Sequence, residues 1–183
     1  MKKLTLLAAI IFISIVSFKN EEKKFPEMIG ELISGKSLSI PKDLKGKFSV
    51  ISLAYSKKAE EDLVTWHEPL YIKFMMEPEK GGMFTFDTYD VNLIFVPMFT
   101  GAKQKVEGAA KKKMKAELDK EYHSHTMVFK GDLNMYKESL GLKDKTKPYL
   151  FVLNESGEIV YQTSGAYTEE KMNNIENEVE PAE

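Results

Sequence analysis

Apolar and polar positions change period several times along this chain, and each change predicts an element. From Phe48 to Tyr55 (FSVISLAY) apolar and β-branched residues dominate, the pattern of a strand covered on both faces. Ser56-Lys57-Lys58 breaks the run and opens a helix. Ser56 suits an N-cap, Glu60 and Glu61 fall in or near the first turn, and Leu63, Trp66, Leu70 and Phe74 recur at helical spacing. Pro69 is expected to bend this helix, and Glu77 to Gly82 to end it. A second buried strand lies within Tyr89 to Phe99 and is expected to stop at Pro97. Thr100 to Tyr122 predicts a lysine-rich helix whose apolar residues, Val106, Ala110, Met114, Leu118 and Tyr122, stand four apart, with Gly108 as an interruption.

Met127 to Phe129 predicts a short third strand, and Leu133 to Leu140 a helix closed by Gly141. Tyr149 to Leu153 and Glu158 to Gln162 read as a hairpin across Ser156-Gly157. Thr168 opens a last helix in a capping-box pattern, with Met172, Ile175 and Val179 inward. Ahead of the central strand, Phe25 to Lys45 reads as a hairpin, with a turn at Gly35-Lys36 and a strand at Ser37 to Ile40. The order is βαβ…ββα: a mixed α/β sheet flanked by helices, with an N-terminal hairpin and an inserted lysine-rich helix.

The N-terminus carries a different signal. Lys2 and Lys3 precede an apolar run, Leu4 to Phe18, of the length of a signal-peptide core and short for a membrane span. The expected organisation is a signal peptide or N-terminal anchor over 1–18, a linker over 19–24 and one domain over 25–180. The domain is then exported, either periplasmic or anchored to the inner membrane and facing the periplasm.

Composition narrows the chemistry. The chain has no cysteine, which excludes disulfides, thiolate zinc sites, thiol peroxidase chemistry and disulfide exchange. A net charge of −2 implies no general attraction to nucleic acid or membrane surfaces, and every one of the 26 basic residues is lysine, which lacks the bidentate fork of arginine. His123-Ser124-His125 is the one metal candidate: in an extended chain its two imidazoles would share a face and, with a carboxylate, suit zinc or copper. Lys111, Lys112 and Lys113 head a basic helix suited to anionic lipid or a membrane partner, with Tyr89, Phe95, Met98 and Phe99 beside it as core or client-binding surface.

The strand at Phe48 to Tyr55 with its helix, and the stretch Lys147 to Tyr167 (KPYLFVLNESGEIVYQTSGAY), resemble the two halves of a thioredoxin-type domain. The resemblance implies a redox CxxC where the strand meets the helix. Ser56, Lys57, Lys58 and Ala59 stand there instead, a degenerate redox position that can at most hold an anion at the helix N-terminus. It also implies a groove built on a cis Lys147–Pro148 bond, with Gly157 and Gly165 at the superfamily's hairpin and pre-helix positions. More narrowly, Phe25-Pro26, Gly46-Lys47, Ser56, Trp66 with Pro69, Tyr89-Asp90-Val91-Asn92, the lysine-rich helix, the histidine after it and Leu140-Gly141-Leu142 resemble the mitochondrial ATP synthase assembly factors and their bacterial relatives. That resemblance implies a chaperone for a membrane subunit of the synthase that is neither redox-active nor an enzyme, needs no cofactor, and uses the groove beside Ser56 and Pro148. The mitochondrial members work on the matrix side, which corresponds to the bacterial cytoplasm, whereas this N-terminus points to export. The alternative reading is a metal carrier built on His123 and His125.

Overall fold

A strand of nearly continuous apolar residues needs neighbours on both edges and cover on both faces, and Phe48–Ala54 receives all of these. The computed structural model describes residues 23–76 and 89–179. In chain order the elements are β1 (Met28–Leu32), β2 (Ser37–Ile40), β3 (Phe48–Ala54), α1 (Lys57–Phe74), β4 (Val91–Thr100), α2 (Glu107–Glu117), β5 (Met127–Gly131), α3 (Asn134–Leu140), β6 (Tyr149–Leu153), β7 (Ile159–Ser164) and α4 (Glu169–Asn177). One seven-stranded sheet runs β2-β1-β5-β4-β3-β6-β7. β3, β4 and β5 are parallel; β6 is antiparallel to β3, β7 is antiparallel to β6, and the β1–β2 hairpin packs antiparallel on β5 through β1.

Alternation along the strands divides the core in two. Ile51, Leu53, Met98, Met127 and Phe151 face α3 and the N-terminal hairpin, meeting Tyr136, Leu140, Met28 and Ile40. Val50, Leu93, Phe95, Leu150 and Val152 face α1 and α4, meeting Trp66, Leu70, Phe74, Met172 and Ile175. Each such side chain contributes roughly 1.5–3 kcal/mol by leaving water. This is the thioredoxin-like α/β architecture. The turns obey their chemistry: α3 ends on Gly141 in the left-handed region (φ 68°), and Gly157 in the β6–β7 turn has φ 85° with the Pro41 ring where a side chain would stand.

Several details depart from expectation. Pro97 lies inside β4 without ending it. The Phe95 N–H donates to His125 O on the β5 side at 2.7 Å; Pro97, two residues on, has no N–H to give there, and the ladder to β5 resumes at Met98 while the β3 ladder runs through Ala54↔Pro97. Pro69, by contrast, sits inside α1 as expected, and the helix continues to Phe74. The expected helix over Thr100 to Tyr122 is three pieces: a 3-10 turn at Gly101–Val106, α2, and a second 3-10 turn at Lys120–Ser124. α2 buries none of its residues, so no core contact enforces one continuous axis. Within the expected linker, Lys24 bridges to Glu158, and Lys23 O accepts from Ile159 N–H at 2.8 Å. The expected leader and the Glu77 to Gly82 helix end lie outside the described residues. At one edge of the sheet, the Ser39 N–H of β2 is taken by the Asp43 carboxylate at 2.8 Å.

Candidate functional site

β3 delivers Tyr55 and Ser56 to the edge of the sheet from which α1 departs. Ser56 Oγ accepts the Ala59 N–H at 3.1 Å, which caps α1, and donates to Lys145 O at 2.5 Å. Tyr55 OH donates to Leu142 O at 3.1 Å, and Tyr149 OH accepts the Asp144 N–H at 2.7 Å. Asp144 in turn accepts from Thr146 N–H at 2.9 Å and Thr146 Oγ1 at 2.6 Å. The segment 142–148 is therefore laced to the start of α1 by side chains from both. Burial, with the Tyr149 phenol and the Asp144 carboxylate adding to it, pushes the Tyr55 phenol up to about 12. The Thr146 bonds hold the Asp144 carboxyl below its ordinary range.

Pro148 is buried, and its carbonyl accepts the Gly165 N–H at 2.9 Å; the Gly165 carbonyl accepts the Nε1–H of the fully buried Trp66 at 2.9 Å. The degenerate redox position and the proline loop are thus one unit, tied through Trp66. The Lys147–Pro148 bond, however, is trans: among the described residues the one cis bond is Ile40–Pro41. The Asx turn at Asp144, with Lys147 N–H on Asp144 O at 3.4 Å, already reverses the chain and feeds β6 without a cis bond.

The charges at this position are largely committed. Lys58 pairs with Asp62 at 2.6 Å, whose carboxylate raises the lysine pKa, and Lys147 lies 3.6 Å from Asp144. Lys57 is exposed, and Ala59 is buried beneath the cap. The Ser56 hydroxyl proton is spent on a carbonyl, with no imidazole or carboxylate bonded to it as a base, so its chemistry is that of a cap and tether.

The other candidates disperse. Tyr89 is a peg between helices: its ring meets Phe74 edge-on at 5.2 Å and its hydroxyl donates to Glu176 at 2.8 Å, with Lys73 also paired to that carboxylate. Phe99, half-buried, stands at the opposite end of β4, on the order of 30 Å away at strand rise. The two do not share a surface, and Phe95 and Met98 between them are core. Lys111 pairs with Glu31 of β1, Lys113 lies 3.7 Å from Glu117, and Lys112 is exposed.

His123 and His125 do not form the expected pair. His123 lies in the 3-10 turn, with Nε2 3.1 Å from Leu118 O; His125 Nδ1 is 3.0 Å from Leu93 O on β4. The extended geometry that would put both rings on one face is absent, because His125 is turned back to dock the segment on β4. Among the described residues no three potential ligands gather into a metal site. The residue that the sequence pattern did not single out is His67, its ring tilted against Phe95 at 4.4 Å and Tyr122 at 5.8 Å between centroids, where burial lowers its pKa to about 4. Its spacing from Leu63 and Leu70 was the available signal.

Solved structures of other proteins share this thioredoxin-like architecture. StoA from Bacillus subtilis superposes with a TM-score of 0.51 at 16% identity, over 82% of this chain and 96% of that one. A putative thiol:disulfide interchange protein DsbE from Chlorobium tepidum gives 0.52 at 16%, over 85% and 92%. BsSco, a member of the Sco family of cytochrome c oxidase assembly proteins, gives 0.52 at 9%, over 86% and 94%. No curated protein matches the sequence. The family model of the ATP10 protein matches residues 1–180, and the chain, a cysteine-free thioredoxin-like protein, belongs to that family of ATP synthase assembly factors.

Proposed function

We propose that this protein is a redox-inactive chaperone that assists assembly of a membrane subunit of the ATP synthase, and that it is not an enzyme. Membership of the ATP10 family supports a chaperone or assembly role in general. The observation that carries the finer reading is Ser56: where the resemblance to thioredoxin implies a thiol, this chain has a serine that caps α1 and ties down Lys145. A position converted from reactivity to structure fits a fold retained for binding.

The Lys2-Lys3 pair and the apolar run Leu4 to Phe18 support export, with the domain periplasmic or anchored at the inner membrane. A membrane subunit presents segments on that side as well. The test is photo-crosslinking in the native host, with the reactive residue at the exposed Lys57 or Lys113 so that the Ser56 cap is untouched, followed by mass spectrometry. Enrichment of a membrane subunit of the ATP synthase supports the proposal. Enrichment of soluble envelope proteins alone removes the synthase from it, and an absence of specific adducts from either position removes the chaperone role.

A further inference from the structure

α2 is held on the sheet without joining either core. None of its residues is buried. Its attachments are polar: Lys111 pairs with Glu31, Glu107 lies 3.8 Å from Lys130, and the Gln104 amide just before it donates to Gly131 O at 3.2 Å. Half-buried Ala110 and Met114 mark the inner face, while Ala109, Lys112, Lys113 and Ala116, spaced three and four apart, are exposed on the outer one. Residues 101–120 hold seven lysines against three acids in a chain of net charge −2. Among the described residues Lys105, Lys112, Lys115 and Lys120 form no ion pair.

We propose that this outer face docks on an anionic lipid bilayer. The ammonium groups are point charges suited to headgroup phosphates. Ala109 and Ala116 are short, so the helix can lie close to the surface with lysines on either side, and Val106, 55% exposed at its start, adds an apolar contact. A protein partner is less well served, because the outer face offers no aromatic or arginine anchor: Tyr122, the nearest ring along the chain, is turned in against His67 and Phe95. The inference stands whichever client the chaperone serves.

The test is flotation of the full chain with vesicles of phosphatidylcholine alone and with phosphatidylglycerol added. The apolar run Leu4 to Phe18 partitions into both, so the ratio isolates the charge contribution. Each lysine at an anionic surface strengthens partitioning about fivefold. The Lys112→Gln/Lys115→Gln variant is expected to lose roughly 25-fold of the preference for anionic vesicles, and Lys112→Arg/Lys115→Arg to keep it. The chain has no cysteine, so Ala116→Cys carries a single environment-sensitive fluorophore that should report lipid contact, while Val64→Cys on the exposed side of α1 should not. Equal partition into both vesicle types, a preference that survives the glutamine variant, or a probe at position 116 that stays in water on bound protein overturns the proposal. Binding to an acidic polypeptide in place of anionic vesicles reassigns the face to a protein partner and overturns it equally.

Discussion

Ser56→Ala separates a structural serine from a reactive one. The hydroxyl makes two bonds, and the substitution removes both. Loss of the cap on α1 costs about 1 kcal/mol. The second bond, to Lys145 O, is exposed, and water can replace it in the variant, so its loss adds about 0.5–1 kcal/mol. The sum is about 1.5–2 kcal/mol, or roughly 3–8 °C in Tm at 2–4 °C per kcal/mol for a domain of this size. Trp66 is the one tryptophan and is fully buried, so urea unfolding followed by its fluorescence reads the loss directly. Ser56→Thr should stay near wild type. Ser56→Gly should fall between, since glycine is a fair N-cap but cannot tether Lys145. A Ser56→Ala variant within about 0.3 kcal/mol of wild type refutes the cap-and-tether reading, as does a fully stable variant that has lost client binding.

Three further predictions concern side chains whose roles the structure reassigns. Burial holds the folded-state His67 near pKa 4 against an ordinary 6.5, so the unfolded chain takes up this proton first as pH falls; stability should be full above pH 6.5 and decline from there toward pH 4, by at most about 3 kcal/mol, and His67→Gln should flatten that slope in urea titrations across the range. Tyr89→Phe keeps the edge-on contact with Phe74 but leaves the Glu176 carboxylate with Lys73 and without the hydroxyl, and should cost about 1–2 kcal/mol by thermal unfolding; an unchanged Tm would mean that the hydroxyl does not join α1 to α4. Calorimetric titration with zinc should give no stoichiometric binding, with His123→Ala/His125→Ala indistinguishable from wild type; a stoichiometric site lost in that variant would mean the rings leave Leu118 O and Leu93 O to bind metal.

The parts of the fold legible in the sequence are those where one local signal met no rival. Ser56 and Thr168 cap helices because their hydroxyls reach backbone donors three residues on, a strictly local bond. Gly141 closes α3 because the left-handed turn favours glycine. Pro97 was misread because the proline rule counts the missing donor without knowing which neighbour wanted it; β4 keeps its pairing to β3 through that residue. The His123-Ser124-His125 face failed because extension was assumed where the chain turns back and docks on Leu93. In the site, the position of Ser56 was readable, but its bond to Lys145 joins residues 89 apart in sequence, and no pattern of apolar spacing carries such a contact. The same holds for Trp66, whose burial was legible and whose tie to Gly165 was not.

The carboxylate of Asp43 on the Ser39 N–H has a consequence for a member of an assembly-factor family. A sheet's outermost strand is a template for any extended polypeptide that arrives, and a chaperone meets such polypeptides routinely. β2 is four residues long, a proline follows it, and one of its outward donors is already occupied. An unfolded client finds little to zip onto there, and two copies of the protein have little with which to stack edge to edge. Removing the plug, as in Asp43→Ala, would leave the native fold paired as before while opening the strand to self-association, a failure visible as turbidity that grows with concentration rather than as a lower melting point.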